Sequence, residues 1–355
     1  MNNKKILVTG GCGYIGSHTI VDLIEHGFEV ISADNLSTGS LRMLEGVEQI
    51  TGKKIKNYNV DLSKMDYTEA IFIDNPDMVG IIHFAAFKSV PESVAEPLAY
   101  YENNLRSLIN LLQCAQRFGV FHFVFSSSCS VYGNTTALPV SESTPMSEAQ
   151  SPYGRTKQMG ELICRDVASV WPEGNIALLR YFNPVGAHPS AHIGELQEKP
   201  ENLVPVITQT AIGKRDQMVV HGNDYKTRDG SCVRDYVHVM DSANAHTRAL
   251  EYMLEADDED NCITLNLGTG NGVTVLEMIK AFEQVSGQKL NYRIGDRRPG
   301  DVEAVYANND KAKEVLGWEP KYDLNAMMDT AWRWEQAITK ETASLVGTDE
   351  VSRLN

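Results

Sequence analysis

Short apolar runs alternate with amphipathic stretches along the first half of the chain. Residues 4–9, Lys-Lys-Ile-Leu-Val-Thr, run into Gly10, and residues 17–26 then place Ile20, Val21, Leu23 and Ile24 at helical spacing before Gly27. This pattern predicts strand, loop, helix. Residues 28–33, 80–85, 121–125 and 176–180 are further short apolar runs of strand length. Between them lie two long helical patterns. One covers 99–118, with Leu105, Leu108, Ile109, Leu112 and Ala115, and the other covers 153–170, with Leu162, Ile163, Val167 and Val170. Repeated strand–helix alternation predicts an α/β fold, a parallel sheet covered by helices on both faces.

The texture changes after Asn183-Pro184. Pro189, Pro200 and Pro205, the Gly/Asp-rich stretch 222–230 and Arg297-Arg298-Pro299-Gly300-Asp301 mark a loop-rich region, read as a smaller α/β substrate lobe. A helical pattern near 240–254 and the run 263–267 are expected to return to the first sheet. The predicted division is 1–183 plus about 237–269 for the first unit, about 184–236 plus 270–340 for the lobe, and 341–355 as a tail without periodicity.

With 355 residues, 42% of them hydrophobic, the chain can bury large cores. Thirty-two Lys plus Arg against 47 Asp plus Glu give a net charge of −15, which repels a polyanion and argues against nucleic acid as a partner. A small anionic ligand stays compatible, because local cations and backbone donors can hold it. Residues 1–8 are too short for a secretion signal, and residues 78–87 are broken by Gly80 and His83, so neither a leader nor a membrane partner is expected and the cytoplasm is the expected location. The six cysteines, scattered from Cys12 to Cys262, form no C-x-x-C pair, so no metal and no disulfide framework is expected.

Thr9-Gly10-Gly11-Cys12-Gly13-Tyr14-Ile15-Gly16 places glycines at 10, 13 and 16 between a predicted strand and a predicted helix. Glycines there let the backbone turn and approach a pyrophosphate, which the N–H groups of the helix start stabilise. Asp34 ends the next strand, 18 residues after Gly16, where a carboxylate accepts from ribose hydroxyls and repels a 2′-phosphate. The cofactor expected is NAD, on a Rossmann-type doubly wound sheet. Asp61 is a candidate for the adenine edge or for a helix N-cap.

Phe125-Ser126-Ser127-Ser128 ends a strand, and Tyr153-Gly154-Arg155-Thr156-Lys157 opens a helix. The spacing of four puts Tyr153 and Lys157 on one face. A phenol titrates near pH ~10 and becomes a useful base only when positive charge favours its anion; Lys157 offers that charge, and Ser128 can relay the proton. Taken alone, Tyr-x-x-x-Lys commonly means a solvated lysine beside a core tyrosine. After a dinucleotide loop it reads as a catalytic set.

These motifs resemble the extended short-chain dehydrogenase/reductases and, among them, the UDP-glucose 4-epimerase family, across residues 4 to about 336. The resemblance rests on the glycine loop, Ser128-Cys129-Ser130-Val131-Tyr132-Gly133, Ser151-Pro152-Tyr153-Gly154-x-x-Lys157, Tyr181-Phe182-Asn183-Pro184 and Arg297-Arg298-Pro299-Gly300-Asp301. Its most specific pieces are Gly222-Asn223-Asp224-Tyr225, residues 233–239, Asn266-Leu267-Gly268-Thr269-Gly270 and Leu316-Gly317-Trp318. It implies that Tyr153 takes the proton of a UDP-hexose 4-hydroxyl while NAD takes the hydride, and that the 4-keto sugar turns over before hydride returns. It implies a UDP grip from Asn183, Asn202, Leu203, His221, Arg234, Tyr236, Arg298 and Asp301, with the guanidinium groups suited to a diphosphate. It further implies that Tyr14, Ile15, Asp34, Asn35, Asp61, Leu62, Phe84, Ala85, Ala86, Lys88, Asn103 and Phe182 line NAD, with Lys88 and Ser128 also near the sugar.

Two positions depart from the patterns of relatives. Sugar-nucleotide dehydratases carry an acidic pair where this chain has Cys129-Ser130, which favours simple epimerisation. Val305 stands where members limited to glucose and galactose resemble one another in carrying a bulky Tyr and where smaller residues admit N-acetylated sugars. Valine is intermediate, which leaves the range open to UDP-N-acetylhexosamines, with partial activity on UDP-N-acetylglucosamine expected and Val305→Tyr as its test. Another nucleotide-sugar epimerase, such as a UDP-glucuronate 4-epimerase, would need a cation near C6 that is not identifiable. A non-catalytic NAD-binding scaffold would not need the intact Tyr153, Lys157 and Ser128. The apolar faces of the helices over 99–118 and 153–170, which relatives pair across a two-fold axis, imply a homodimer.

Overall fold

The first strand forms where three residues in a row have both faces of a sheet to fill. Ile6, Leu7 and Val8 are wholly buried in β1 (Lys5–Thr9). In this computed structural model, which describes residues 4–197, 200–255, 260–298 and 302–352 with side chains to residue 343, β1 leads through the glycine loop into α1 (Tyr14–Glu25). The alternation continues with β2 (Glu29–Ala33), α2 (Leu41–Thr51), β3 (Asn57–Tyr58), α3 (Met65–Asp74), β4 (Met78–His83), α4 (Val90–Ala95), α5 (Pro97–Phe118), β5 (His122–Ser126), α6 (Pro152–Ser169) and β6 (Asn175–Tyr181). Beyond it lie β7 (Asn183–Val185), α7 (Leu203–Ala211), β8 (Met218–His221), β9 (Val233–His238), α8 (Val239–Glu255) and β10 (Cys262–Leu267). The last elements are β11 (Gly272–Thr274), α9 (Val275–Ser286), β12 (Tyr292–Gly295), β13 (Ala304–Val305), α10 (Asp310–Leu316) and α11 (Leu324–Ser352).

Seven strands pair in the order β10-β6-β5-β4-β1-β2-β3, all parallel. This is the Rossmann order with one added strand, so the fold class expected from the alternation is what forms. Successive residues point to opposite faces. Ile6, Val8, Val124, Ala177 and Leu179 pack with α1 and α8 on one face, through Ile20, Leu23, Ala249 and Leu250. Leu7, Phe123, Phe125, Ile176 and Leu178 pack with α3, α5 and α6 on the other, through Phe72, Leu108, Leu112 and Cys164.

The remaining strands form smaller sheets. β9 pairs with β7, β11 and β13, and β8 pairs with β12. Their core is separate and sulfur-rich, with Met218, Met278, Phe282, Met327, Met328 and Trp332 among α7, α9 and α11. The chain crosses between the cores more than once. The run at 263–267 becomes β10 at the edge of the seven-stranded sheet, and Ala312, Leu316 and Trp318 pack back into the core of that sheet's α1/α8 face. Residues beyond 340 continue α11 as helix to Ser352, and Arg42 on α2 pairs with Glu341 there.

Candidate active site

A cleft opens at the carboxyl ends of β1, β2 and β4, where an open parallel sheet characteristically holds its ligand. Gly10, Gly13, Tyr14, Ile15 and Gly16 form its floor. Gly10 has φ +70°, and a Cβ there would lie 2.9 Å from the Ala85 nitrogen; a Cβ on Gly16 would overlap the Gly10 carbonyl oxygen. Both positions are thus closed to side chains. α1 has Gly13 as N-cap with no side-chain cap, leaving its first N–H groups directed at the cleft.

Asp34 is buried at the rim. Its Oδ2 accepts from Cys12 N at 3.1 Å and its Oδ1 from Leu36 N at 2.8 Å; burial raises its carboxyl and these two bonds oppose the rise. Asn35, Asp61, Leu62, Phe84, Ala85, Ala86, Lys88 and Asn103 all line the same cleft. Asp61 accepts from Ser63 N at 2.9 Å and lines the cleft; the N-cap of α3 is Lys64, so Asp61 does not cap that helix. The Tyr14 hydroxyl donates to the Gly186 carbonyl at 2.6 Å.

Tyr153 and Lys157 close the inner end of the cleft. Ser151 caps α6, its Oγ accepting from Gly154 N at 3.1 Å, and Pro152 fixes the first turn, so Tyr153 projects from a rigid helix start. Burial pushes the Tyr153 phenol well above its ordinary value, nearby Tyr181 adds to the rise, and a hydrogen bond with Ser128 opposes it. Lys157 donates to the Ser126 carbonyl at 2.7 Å; burial lowers its ammonium to about 8, against Cys164 and Glu161. The ammonium lies 5.9 Å from the Tyr153 ring centre, and burial remains the largest influence on the phenol.

The residues expected to hold UDP gather differently. Strand register sets Asn183 beside Tyr236 and Val305 beside Arg234. Arg234 Nη1 donates to the Val233 and Val302 carbonyls at 2.9 and 2.8 Å. His221 ends β8, with Nδ1 3.2 Å from the Asp296 carbonyl, and Arg298 follows β12; Asn202 is the N-cap of α7 and Leu203 its first residue. None of these lines the large cleft, and Asp301 lies outside the described residues. Phe182 and Val305 pack together with Val131, Tyr132, Val140 and Ala307 in a small apolar cluster, away from the cleft wall.

Of the cleft residues that the sequence reading did not name, two bear on the chemistry. Tyr181, the last residue of β6, lines the cleft beside Tyr153, as strand alternation requires once Phe182 turns away. Its place at the carboxyl end of a central strand was the available signal. Glu195 lines the cleft from the loop after β7, and its Oε1 takes both Asn202 Nδ2 at 2.9 Å and Lys88 Nζ at 3.4 Å. No sequence pattern announces it.

A family model described as GDP-mannose 4,6 dehydratase matches residues 7–331. The UDP-glucose 4-epimerase of Bacillus subtilis is 49% identical over 333 residues, 94% of this chain and 97% of that one. The chain belongs to the UDP-glucose 4-epimerase family. Among solved members of this family, the Stenotrophomonas maltophila enzyme with bound NAD and formylated UDP-arabinopyranose is 42% identical, with a TM-score of 0.92 over 95% of this chain and 99% of that one. The Bifidobacterium longum epimerase in complex with NAD+ and UDP is 43% identical, with a TM-score of 0.89 over 94% and 98%. Among the described residues no helix is long and apolar enough to cross a membrane, and no group of three or more His, Cys, Asp or Glu could hold a metal ion.

Proposed function

We propose that this protein interconverts UDP-glucose and UDP-galactose by inverting C4, with NAD resident in the glycine-loop cleft. The observation that carries this reading is the buried Tyr153–Ser128 hydroxyl pair beside Lys157, at the inner end of a cleft floored by a loop in which Gly10 and Gly16 admit no side chain. The cleft suits a dinucleotide: free N–H groups at the start of α1 meet the pyrophosphate and Asp34 meets the ribose. NAD supplies hydride acceptance and return at C4 and a positive ring. Beside that ring, Tyr153 takes and gives back the 4-hydroxyl proton, Ser128 passes it, and Lys157 holds a ribose and the local positive charge.

Inversion needs a sugar that turns while its handle stays fixed. Arg234 and Arg298 offer forked donors to the diphosphate, and Asn183, Asn202, Leu203, His221, Tyr236 and Asp301 the remaining contacts. In this division residues 1–183 and about 237–269 form the NAD unit, joined by the packing of 312–318, and the rest to 340 forms the UDP-sugar lobe. The small Val305 leaves the range open to UDP-N-acetylhexosamines. Exposed Ile109 on α5 and Met159 and Leu162 on α6 favour a homodimer through these helices, and six free thiols suit the cytoplasm.

The test is incubation of the purified protein with UDP-galactose, and separately UDP-N-acetylgalactosamine, without added NAD. UDP-glucose is expected with no accumulation of NADH. No conversion even with NAD added, or NADH in stoichiometric amount, would overturn the reading.

A further inference from the structure

Three elements meet at the inner end of the cleft: α6 with Tyr153 and Lys157, the end of β6 with Tyr181, and, behind them, the end of β5, whose Ser126 carbonyl holds Lys157 and whose Ser128 bonds Tyr153. One buried ion pair ties all three together. Arg180, next to Tyr181, reaches Glu161 through two parallel bonds, Nε to Oε1 at 2.8 Å and Nη2 to Oε2 at 2.6 Å. Glu161 lies one turn beyond Lys157, is wholly inaccessible, and also accepts from Ser127 Oγ at 2.6 Å, beside Ser128. Arg180 Nη1 donates to the Tyr132 hydroxyl at 3.0 Å, which donates to Asn266 Oδ1 at 2.6 Å on β10. Arg165, 3.4 Å from Glu161 Oε2, completes the set and donates to Thr264 at 2.7 Å.

Stability alone does not account for such a pair, because desolvating both charges costs about as much as their attraction returns and apolar residues of similar size serve as well. We propose, on the epimerase reading above, that Glu161 and Arg180 are positioning residues: their forked pair holds Ser128, Tyr153, Lys157 and Tyr181 in one register, with the Glu161 carboxylate set against Lys157. The groups facing Lys157 are Tyr153, Glu161 and Cys164 on α6, His83 on β4, and the Phe125 ring and Ser126 carbonyl on β5; on β6, Arg180 stands behind Glu161 and Tyr181 lines the cleft with Tyr153. Burial keeps His83 neutral, near 3, and raises the Cys164 thiol. Charge at neutral pH therefore comes from Glu161, which favours the ammonium, and from Arg180, which opposes it.

The experiment is a pH profile of kcat and KM for UDP-galactose on the holoenzyme, from pH 6 to 10, with thermal melts alongside. Wild type loses activity as pH rises through about 8, where Lys157 gives up its proton. Glu161→Asp keeps the charge but withdraws the fork, so kcat falls about 10- to 100-fold with KM and the alkaline limb in place. Glu161→Gln moves that limb down by about one pH unit and Arg180→Met moves it up. Should either single variant fail to fold, E161M/R180M leaves no buried charge unpaired; it is expected to fold, with its limb between the two and kcat about tenfold down. Limbs that coincide in every folded variant, or wild-type kcat in Glu161→Asp or in the double variant, would overturn the proposal. A wild-type protein that does not turn over UDP-galactose removes the epimerase reading instead.

Discussion

Tyr153 is where the chemistry is most exposed to a single atom. Its phenol is pushed up by burial, so on the proposed reading it exchanges a proton while the nicotinamide's positive charge stands over it. Tyr153→Phe removes that one oxygen and nothing of the packing. Turnover of UDP-galactose is expected to fall by at least about 10²- to 10⁴-fold, with NAD still released on denaturation in wild-type amount. Loss of both together would make the tyrosine a structural residue. The grouping of Tyr153 with Lys157 was legible because a spacing of four puts both on one helical face, and Ser128 because it follows a strand end; the preceding glycine loop gave that grouping its chemical reading. The sequence did not separate Tyr181 from Phe182, since neighbours in a strand exchange faces with the exact residue at which the strand ends, and that end is set by pairing with β10. Glu195 was invisible because it sits in an irregular loop that only the folded molecule brings to Lys88 and Asn202.

At the scale of elements, the glycine loop and α1 form a single device. The close passage of Gly16 over the Gly10 carbonyl is what brings the helix start against the end of β1. Gly16→Ala puts a methyl group into that contact, so the loop must open. The protein is expected to lose bound NAD and, with it, several degrees of Tm that added NAD only partly restores, as a thermal melt with and without nucleotide would report. Unchanged NAD content would mean that the loop yields without cost. Strands buried on both faces were legible as apolar runs, and α5 and α6 as stripes. The last turns of α11 were not, because a helix already started propagates without an apolar stripe, and residues beyond 340 offer none.

Over the whole molecule, acid is the condition that should undo the fold. His18, His83 and His238 are held near 3 and His246 near 4, each lowered first by burial. An unfolded histidine takes a proton at 6.5, so between pH 6.5 and about 4 the unfolded chain binds more protons than the folded one. Stability therefore falls as pH is lowered, by about 1.4 kcal/mol per pH unit for each such group once well below 6.5. Asp34, Asp235 and Asp241, raised by burial, act in the opposite sense nearer pH 4. Melting temperature measured from pH 7.5 to 5 should drop steadily, and a flat profile would show that these histidines accept protons without unfolding.

The seventh strand of the large sheet reaches beyond equilibrium, into synthesis. β10 is made about 80 residues after β6, the strand it covers, and at about 5–20 residues per second the ribosome needs about 4–16 s to deliver it. Through that interval the emerging chain carries a long, apolar, parallel-type strand with one row of backbone donors and acceptors unpaired, the arrangement most open to pairing with another nascent copy. The stretch of translation between residues 181 and 262 is thus when this chain has most need of a chaperone.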